Sequence, residues 1–367
     1  MSRKTLYIIL IVISSLIIIG GLVWYFLSRP KKMSPPGANF TINGQPVTTN
    51  ESKLKTISNG PVIAAKLSGE TLLFYDFSGQ LWQIPVGATN PVAVDQTSIS
   101  NPADIVWSLD LRNIVKSGSE QNDTKYIFSD FTTKTLVNLK SGIKSLAFSL
   151  DGKKIVYYIF ENLKSNSLFT SDPDGRNQKT LIGSLKLRDT VLAWPKISQI
   201  SLTVRPSGLT PGSVWTLDAR NLVFTKMLGG LNGLETLWAP DGNSFIYSYT
   251  DQNGYNPKLA IYNKKGEKKH LNDISTVIDK CAWASDSINV FCAVPKNWPE
   301  GMVLPDDYYK RVNLTVDDVW KINTETGEKN LLASDLGDIK NLIIDNSESN
   351  IFFINRSDQV LYKLNLR

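Results

Sequence analysis

The sequence predicts an all-β protein, a propeller of seven four-stranded blades, preceded by one transmembrane helix. Three observations lead to this fold class. A strand-rich pattern recurs along the chain at a spacing typical of propellers. Runs rich in Val, Ile, Tyr and Phe dominate after residue 30, where amphipathic helical periodicity is absent. A long uncharged run lies close to the N-terminus.

The clearest copy of the repeat covers residues 238–271. Trp238–Tyr249 reads as a strand end, an Asp241-Gly242 turn and an apolar strand, and Lys258–Tyr262 and Lys268–Leu271 supply two further strands. Asp-Gly favours a tight turn because both residues tolerate positive φ. Four short strands in succession make one propeller blade.

Six further copies align with this one when the residue before the first turn is taken as an anchor. The anchors lie about 41 to 46 residues apart, with one longer separation of 61 residues before the last copy. The seven anchors are Ala65, Trp107, Phe148, Trp194, Trp238, Trp283 and Ile344.

The two ends of the repeat region suggest how the ring closes. Gln80–Ile84 in the first copy matches Gln359–Lys363 in the last, and the last copy has three strands before Arg367. Lys53–Ser58 resembles the fourth strands of other copies, so we expect it to complete the last blade and to remove two exposed sheet edges. The alternative is that Lys53–Ser58 is an edge strand or linker.

A long insertion, Pro295–Arg311, separates the second and third strands of the sixth copy. Such connections share a face of a propeller, so the insertion should border one mouth together with Gly208–Ser213 and Gln252–Pro257. Long loops in compact domains are often functional, and aromatic residues are enriched in binding hot spots. The alternative is that Trp298 and the prolines pin the loop onto the rim. The candidate binding residues are Tyr255, Trp298, Asp306, Asp307, Tyr308, Tyr309, Lys310 and Arg311.

The N-terminal part predicts a membrane anchor. After a tail of residues 1–5, Leu6–Leu27 carries no charge, and as a helix it would span roughly 30 Å, the thickness of a bilayer core. The run is too long for a cleaved signal peptide and no small-residue cleavage site follows it. Residues 28–52 then read as a Pro-rich basic linker with a possible small hairpin, and residues 53–367 as the propeller.

Two cysteines bear on the orientation of the chain. Cys281 and Cys292 should face each other on the first two strands of the sixth copy, which makes a disulfide geometrically possible. Disulfides persist in oxidising compartments, so this pair and the short tail of a signal-anchor favour a propeller outside the cytoplasm. The alternative is a pair of buried free thiols.

Charge argues against nucleic acid as a partner. The formal net charge is +6, but Arg3, Lys4, Arg29, Lys31 and Lys32 flank the apolar run and supply five of these charges. A remainder near +1 leaves no basic stripe to neutralise phosphates.

Signatures of catalysis are missing, so no catalytic residue, metal or cofactor is predicted. His270 is the only histidine and belongs to an outer strand, and no phosphate-binding loop or zinc constellation is present. Asp306-Asp307 and Asp317-Asp318 are paired carboxylates, but neighbours on a strand point to opposite faces, so neither pair makes a dyad.

The third copy carries a family resemblance. Phe148–Tyr157 contains Ser-Leu-Asp-Gly-Lys, and Leu168–Leu181 contains Asp-Pro-Asp-Gly-Arg-Asn, while Trp238–Gly242 has the first of these turns again. These segments resemble the TolB-like or PD40 (WD40-like) propeller repeat. The resemblance implies the fold and a tendency to bind proteins or peptides, and it transfers no catalytic residue. TolB-like propellers often have six blades, so six remains an alternative to seven.

Together these features predict a membrane-anchored, non-catalytic scaffold that binds a protein, a peptide or an envelope polymer. One alternative is a carboxylate-dependent, glycosidase-like hydrolase with its site at the propeller mouth. Another is a structural subunit of a membrane complex, which would show an exposed apolar patch on the outer edge of a blade.

Overall fold

The computed structural model describes residues 41–42, 45–46, 53–94, 98–108, 112–118, 124–162, 165–271 and 273–367. The predicted transmembrane run Leu6–Leu27 and most of the basic linker lie outside these residues. Within the described ranges, no helix is both long and apolar enough to cross a membrane.

The described residues form seven antiparallel four-stranded blades. Blade 1 comprises the strands Val62–Ser68, Thr71–Asp76, Leu81–Pro85 and Val92–Ala93. Blade 2 comprises Pro102–Trp107, Asn113–Ser117, Lys125–Asp130 and Thr135–Asn138. Blade 3 comprises Ile143–Phe148, Ile155–Asn162, Ser165–Ser171 and Lys179–Ile182.

Blades 4 and 5 share one continuous strand, Phe224–Trp238. Its first part pairs with Pro211–Asp218 and its second part with Phe245–Thr250, and Asn232 takes part in both pairings. The other strands of blade 4 are Thr190–Lys196 and Gln199–Val204, with Pro211–Asp218. Those of blade 5 are Lys258–Tyr262 and Lys268–Leu271, with Phe245–Thr250.

Blades 6 and 7 complete the ring. Blade 6 comprises Cys281–Trp283, Asn289–Pro295, Asp317–Asn323 and Lys329–Ser334. Blade 7 comprises Ile339–Ile344, Asn350–Asn355, Leu361–Asn365 and Leu54–Thr56. The short helices are a 3₁₀ turn, Ile278–Lys280, and a one-turn α-helix, Asp306–Tyr309.

The N-terminal strand Leu54–Thr56 joins the two ends of the chain. It pairs antiparallel with Leu361–Asn365, with Leu54 opposite Leu364. The innermost strands of blades 7 and 1 also lie side by side, and the Ala65 amide donates a 2.8 Å hydrogen bond to the Asn341 side chain. The last blade therefore contains strands from both ends of the repeat region, so its sheet is complete.

Seven separate apolar clusters hold the blades together, one between each pair of neighbours. Each anchor identified in the sequence packs into a different cluster; Phe148, for example, lies between blades 2 and 3, and Trp194 between blades 3 and 4. The repeated anchor, aromatic in five of the seven copies, thus packs into the wedge between two twisted sheets, which explains its regular spacing.

The turn after the anchor also fixes neighbouring blades. Gly242 has φ of +65°, and a Cβ there would lie 2.3 Å from the carbonyl oxygen of Pro195 in blade 4. Only glycine allows both this backbone conformation and this approach. The Asp241 carboxylate accepts the amide of Asn243 and closes the turn.

A small hairpin extends blade 6 by two strands. Thr41–Ile42 pairs with Gln45–Pro46 and with the outer strand Lys329–Ser334. The outer edge of this blade is therefore covered by backbone from the segment ahead of the ring.

Candidate functional site

The ring encloses a channel made of three connected cavities, of about 820, 1040 and 720 Å³. Asn341, on the innermost strand of blade 7, lines all three. The 820 Å³ cavity lies where the innermost strands end, and its lining includes the exposed side chain of Leu150, in the turn after the innermost strand of blade 3. This end of the channel therefore opens to solvent.

The 1040 Å³ cavity, called here the apolar cavity, runs beside blades 4 to 7. Its walls are largely hydrophobic, and Glu235 and Asp279 are among its few polar groups. The main apolar residues that line it are Val191, Leu237, Trp238, Trp283 and Leu342.

The insertion of blade 6, residues 296–316, forms a plug at the other end of the channel. Leu304 donates its amide to the carbonyl of Gly254 at 2.8 Å, and the Asp306 carboxylate accepts the amide of Gly208 at 2.7 Å. The plug thus meets the loops of blades 4 and 5 that the sequence placed at the same mouth. Gly208 permits this contact, because a Cβ there would lie 2.5 Å from the Leu304 carbonyl oxygen.

The plug turns two tyrosines toward the interior. Tyr308 is buried and donates its hydroxyl hydrogen to Asp279 at 2.6 Å. Tyr309 lines the channel and donates to Glu235 at 2.6 Å. Asp306 to Tyr309 form a helical turn, so the assumption that Asp306 and Asp307 lie on a strand is wrong. Burial and the adjacent Asp279 raise the pKa of Tyr308 well above the usual value. The pKa of Tyr309, which is 54% exposed in the channel, is raised too, by desolvation between the channel walls and by Glu235.

A buried group of four charges fastens the plug to blades 6 and 7. We call it the neutral cluster: Lys280, Asp317, Asp338 and Arg356. The Lys280 ammonium contacts Asp317 at 2.5 Å and Asp338 at 2.6 Å, and Arg356 contacts Asp338 at 2.5 Å. Arg356 also donates to the Tyr308 carbonyl at 2.6 Å. Two cations balance two anions, so the cluster carries no net charge.

A second group of cations lies in the 720 Å³ cavity beside the plug. Arg311 and Lys340 each donate to the same atom, Oε1 of Gln359, at 2.9 Å. The two cations are therefore within about 6 Å of each other and repel. Among the ion pairs of the described residues, none includes either of them. Burial, and then the nearby Arg311, lowers the pKa of Lys340 to about 8.

Glu235 is the most perturbed carboxyl group of the apolar cavity. It is 7% exposed, and burial raises its pKa to about 7, although the hydrogen bond from Tyr309 acts in the opposite direction. Asp279 adds to the increase through its charge. In the 720 Å³ cavity, the surrounding channel walls likewise raise the pKa of Asp104 by desolvation, although its side chain is exposed to the channel. The channel therefore holds several titratable groups in a low-dielectric setting.

Some candidate binding residues hold the plug in place, some line the channel, and Asp306 and Tyr308 do both. Trp298 packs edge-on against Tyr308 and donates to the Ser275 carbonyl at 3.2 Å, so it pins the plug to the ring. Asp306, Asp307 and Tyr308 are likewise engaged within the protein. Five candidates on the plug line cavities of the channel: Asp306, Tyr308, Tyr309, Lys310 and Arg311. Tyr255 is 39% exposed on the loop that contacts the plug.

The two cysteines form a disulfide between the first two strands of blade 6. Cys281 and Cys292 are directly opposite in the antiparallel register, with their Cα atoms 4.1 Å apart. Both are buried, and Cys281 also borders the apolar cavity. His270 is exposed on the outer strand of blade 5 and contacts the Tyr249 hydroxyl at 2.9 Å.

Sequence reasoning missed the charged residues of the channel and of the neutral cluster: Asp104, Glu235, Asp279, Lys280, Lys340, Asp338 and Arg356. Most lie on or just before the innermost strands of different blades, so only the closed ring brings them together. One local signal was available. Asp279-Lys280 places two charges immediately before the apolar strand Cys281–Trp283, where a core position would be expected.

Comparison by sequence gives no relative, since no protein-family model and no curated protein matches this chain.

Comparison by structure identifies propellers. Oligogalacturonate lyase from Vibrio parahaemolyticus has a TM-score of 0.59 at 11% identity, covering 89% of this chain and 93% of the lyase. The β-propeller domain of the Trilobed protease from Pyrococcus furiosus has a TM-score of 0.57 at 12% identity, covering 85% and 98%.

TolB from Acinetobacter baumannii matches at 16% identity and a TM-score of 0.49 over 77% of this chain, which spans 64% of the TolB chain. Identities this low establish a shared architecture and no shared activity. The chain has the β-propeller fold.

Proposed function

We propose that the protein is a binding scaffold that admits a segment of a peptide or protein partner into its central channel. The observation that carries this proposal is the channel itself. It is open at the end where Leu150 lies, continues into an apolar cavity of about 1040 Å³, and ends at a fixed plug bearing polar groups. An apolar recess with a few oriented polar groups is the usual form of a ligand site.

The rigidity of the site supports binding without a large conformational change. The plug is held to blades 4 and 5 by the hydrogen bonds to Gly208 and Gly254, and to blades 6 and 7 by the neutral cluster. A preformed site loses little conformational entropy when it binds, so a modest contact area can give useful affinity.

A substitution in the channel wall tests the channel as the binding site. The full-length chain is panned against random heptapeptides displayed with free N-termini and, separately, with free C-termini. Val191→Trp places a large ring inside the channel, where Val191 lines two cavities, whereas Val223→Trp adds the same ring to a similarly exposed turn outside it. We expect enriched peptides to bind Val191→Trp at least about tenfold more weakly and Val223→Trp unchanged. Equal binding to both variants, or no enriched peptide, would refute the proposal.

A hydrolase is the second candidate, because Glu235 combines a raised pKa with a place in the channel. A carboxyl group with a pKa of about 7 can act as a general acid, and Asp279 supplies a second carboxylate close to it. Glu235→Gln tests this reading in an assay of 4-nitrophenyl glycosides. An enzyme would show turnover that the variant loses, whereas no turnover by the unaltered chain favours the scaffold.

We further propose that Leu6–Leu27 anchors the protein and that the propeller lies outside the cytoplasm. The uncharged run supports the anchor, and the Cys281–Cys292 disulfide is in keeping with an oxidising compartment. Alkaline phosphatase fused after Arg367 should be active, because that enzyme matures outside the cytoplasm. An inactive phosphatase fusion together with a fluorescent cytoplasmic reporter at the same position would reverse the orientation.

A further inference from the structure

The arrangement of Arg311 and Lys340 requires an explanation beyond a general binding channel. Two cationic groups converge on one neutral acceptor, Gln359 Oε1, at 2.9 Å each. Like charges at this distance repel, and neither group is in an ion pair of the described residues. A neutral amide compensates them poorly, so the site lacks an anion that would remove the repulsion.

The acceptor between the two cations is held in one orientation. Gln359 is 8% exposed, and its amide nitrogen donates to the Arg356 carbonyl at 2.6 Å. This bond directs Oε1 toward Arg311 and Lys340, because an amide has its oxygen and nitrogen on opposite sides. Arg356 itself belongs to the neutral cluster, so a rigid group fixes the position of the cation pair.

The surroundings define the space that an anion would enter. Arg311 and Lys340 line the 720 Å³ cavity together with Lys116, a third cation outside the ion pairs of the described residues. Asp104 and Asp279 line it too, and their charges partly offset the effect of Arg311 on Lys340. Arg356 also lines the cavity but is paired with Asp338, so three further cations face two carboxylates and leave an excess of positive charge.

We propose that Arg311 and Lys340 form a site for a carboxylate, and that the group bound there is the C-terminal carboxylate of a peptide. The inference rests on the proposed channel-binding function and specifies which end of the ligand is recognised. The 720 Å³ cavity and the apolar cavity adjoin, because both are lined by Asp279, Tyr309 and Asn341.

A bound chain end can therefore place its carboxylate on the cations and its preceding apolar side chains in the apolar cavity. A planar guanidinium and a carboxylate form strong, directional hydrogen bonds, and Lys340 adds a second charge. The largely apolar walls beside this site favour apolar amino-acid side chains over the hydroxyl-rich surface of an acidic sugar. An acidic sugar is accordingly the competing ligand in the test.

Matched ligands that differ in one group test the proposal by calorimetric titration of the full-length chain. The probes are acetyl-Ala-Ala-Leu with a free carboxylate, the same peptide as its C-terminal amide, and galacturonate. We expect the free acid to bind about 10- to 100-fold more tightly than the amide, as befits hydrogen bonds to charged groups. Equal affinities for acid and amide, or tighter binding of galacturonate, would overturn the proposal.

Substitutions of the two cations test whether they cause the preference for the free acid. Arg311→Gln and Lys340→Met should each reduce the preference for the free acid about tenfold or more, because each removes one cation. Arg220→Gln and Lys265→Met are the controls, since both residues are exposed in turns outside the channel. If both site variants keep the preference for the free acid over the amide, the assignment of a carboxylate site to Arg311 and Lys340 is refuted.

Failure of this inference is distinguishable from failure of the channel proposal. If acid and amide bind equally and Val191→Trp weakens both, the channel binds peptides but the carboxylate site is wrong. If neither probe binds and panning enriches no peptide, both proposals are wrong.

Discussion

Two groups of charged residues lie beside the plug, and they differ in how their charges are balanced. The neutral cluster is almost fully buried, and its cations meet carboxylates at 2.5 to 2.6 Å. Arg311 and Lys340 instead each donate to the amide oxygen of Gln359, at 2.9 Å, and neither is in an ion pair of the described residues. The first group is complete within the protein, whereas the second is complete only with an external anion.

This difference separates a structural role from a binding role. Buried charges that satisfy one another stabilise a particular arrangement, here the attachment of the plug to blades 6 and 7. A cation pair that no carboxylate contacts directly costs free energy in the absence of ligand, and perturbed groups of this kind are concentrated at functional sites. The charged groups near the plug therefore differ in role according to whether a carboxylate pairs with them, not according to how deeply they are buried.

The largest expected effect comes from breaking the neutral cluster. Lys280→Met leaves Asp317 and Asp338 with Arg356 alone, so one buried negative charge is uncompensated. We expect the free energy of unfolding to fall by about 3–5 kcal/mol, measured by urea denaturation. Lys340→Met, which breaks no ion pair, should change it by less than about 1 kcal/mol. Similar losses in the two variants would remove the distinction between the groups.

The next effect concerns pH and Glu235. The folded state raises the pKa of this carboxyl from its ordinary 4.5 to about 7, so it holds the proton more tightly than the unfolded chain does. Its stabilising contribution is complete below pH 4.5 and is lost as the pH rises toward 7. The loss amounts to about 3 kcal/mol.

Urea denaturation at pH 4.5 and pH 8 should therefore show a steeper loss of stability for the unaltered chain than for Glu235→Gln. The glutamine keeps the size of the side chain and removes its titration. If the two proteins lose stability in parallel over this range, Glu235 does not carry the raised pKa.

A smaller effect tests the docking of the plug, which also positions Arg311. Gly208→Ala brings a methyl group to 2.5 Å from the Leu304 carbonyl oxygen, so the contact must open. We expect a loss of about 1–3 kcal/mol and faster proteolysis within residues 296–316. Gly87→Ala is the control, because nothing lies within 4 Å of the added carbon. Identical behaviour of both variants would show that the plug does not depend on this contact.

The parts of the structure that follow from local sequence were predictable. The anchors Trp194 and Trp238 recur because each fills one wedge between blades, and the cysteine register follows from pairing across a single turn. The strand Leu54–Thr56 could be placed because its pattern matches other fourth strands.

The channel chemistry was not predictable in the same way. Glu235, Asp279 and Lys340 belong to blades 5, 6 and 7, and no spacing rule relates residues that meet only across a ring. The role of the plug residues was left open by the sequence for a related reason. Aromatic residues in a long loop suit both a binding surface and a contact that pins the loop to the ring, and Trp298 and Tyr308 are buried or partly buried against the ring.

The most direct test of the distinction between the two charge groups is the pKa of Lys340, measured by NMR on the full-length chain with ¹³C-labelled lysine. We predict a value of about 8 in the free protein, and a rise of at least about one unit on saturation with acetyl-Ala-Ala-Leu, since a carboxylate favours the charged ammonium. The peptide amide should leave the value unchanged. An unaltered Lys340 pKa at saturation with the free acid would contradict the assignment of this cation pair to a ligand carboxylate.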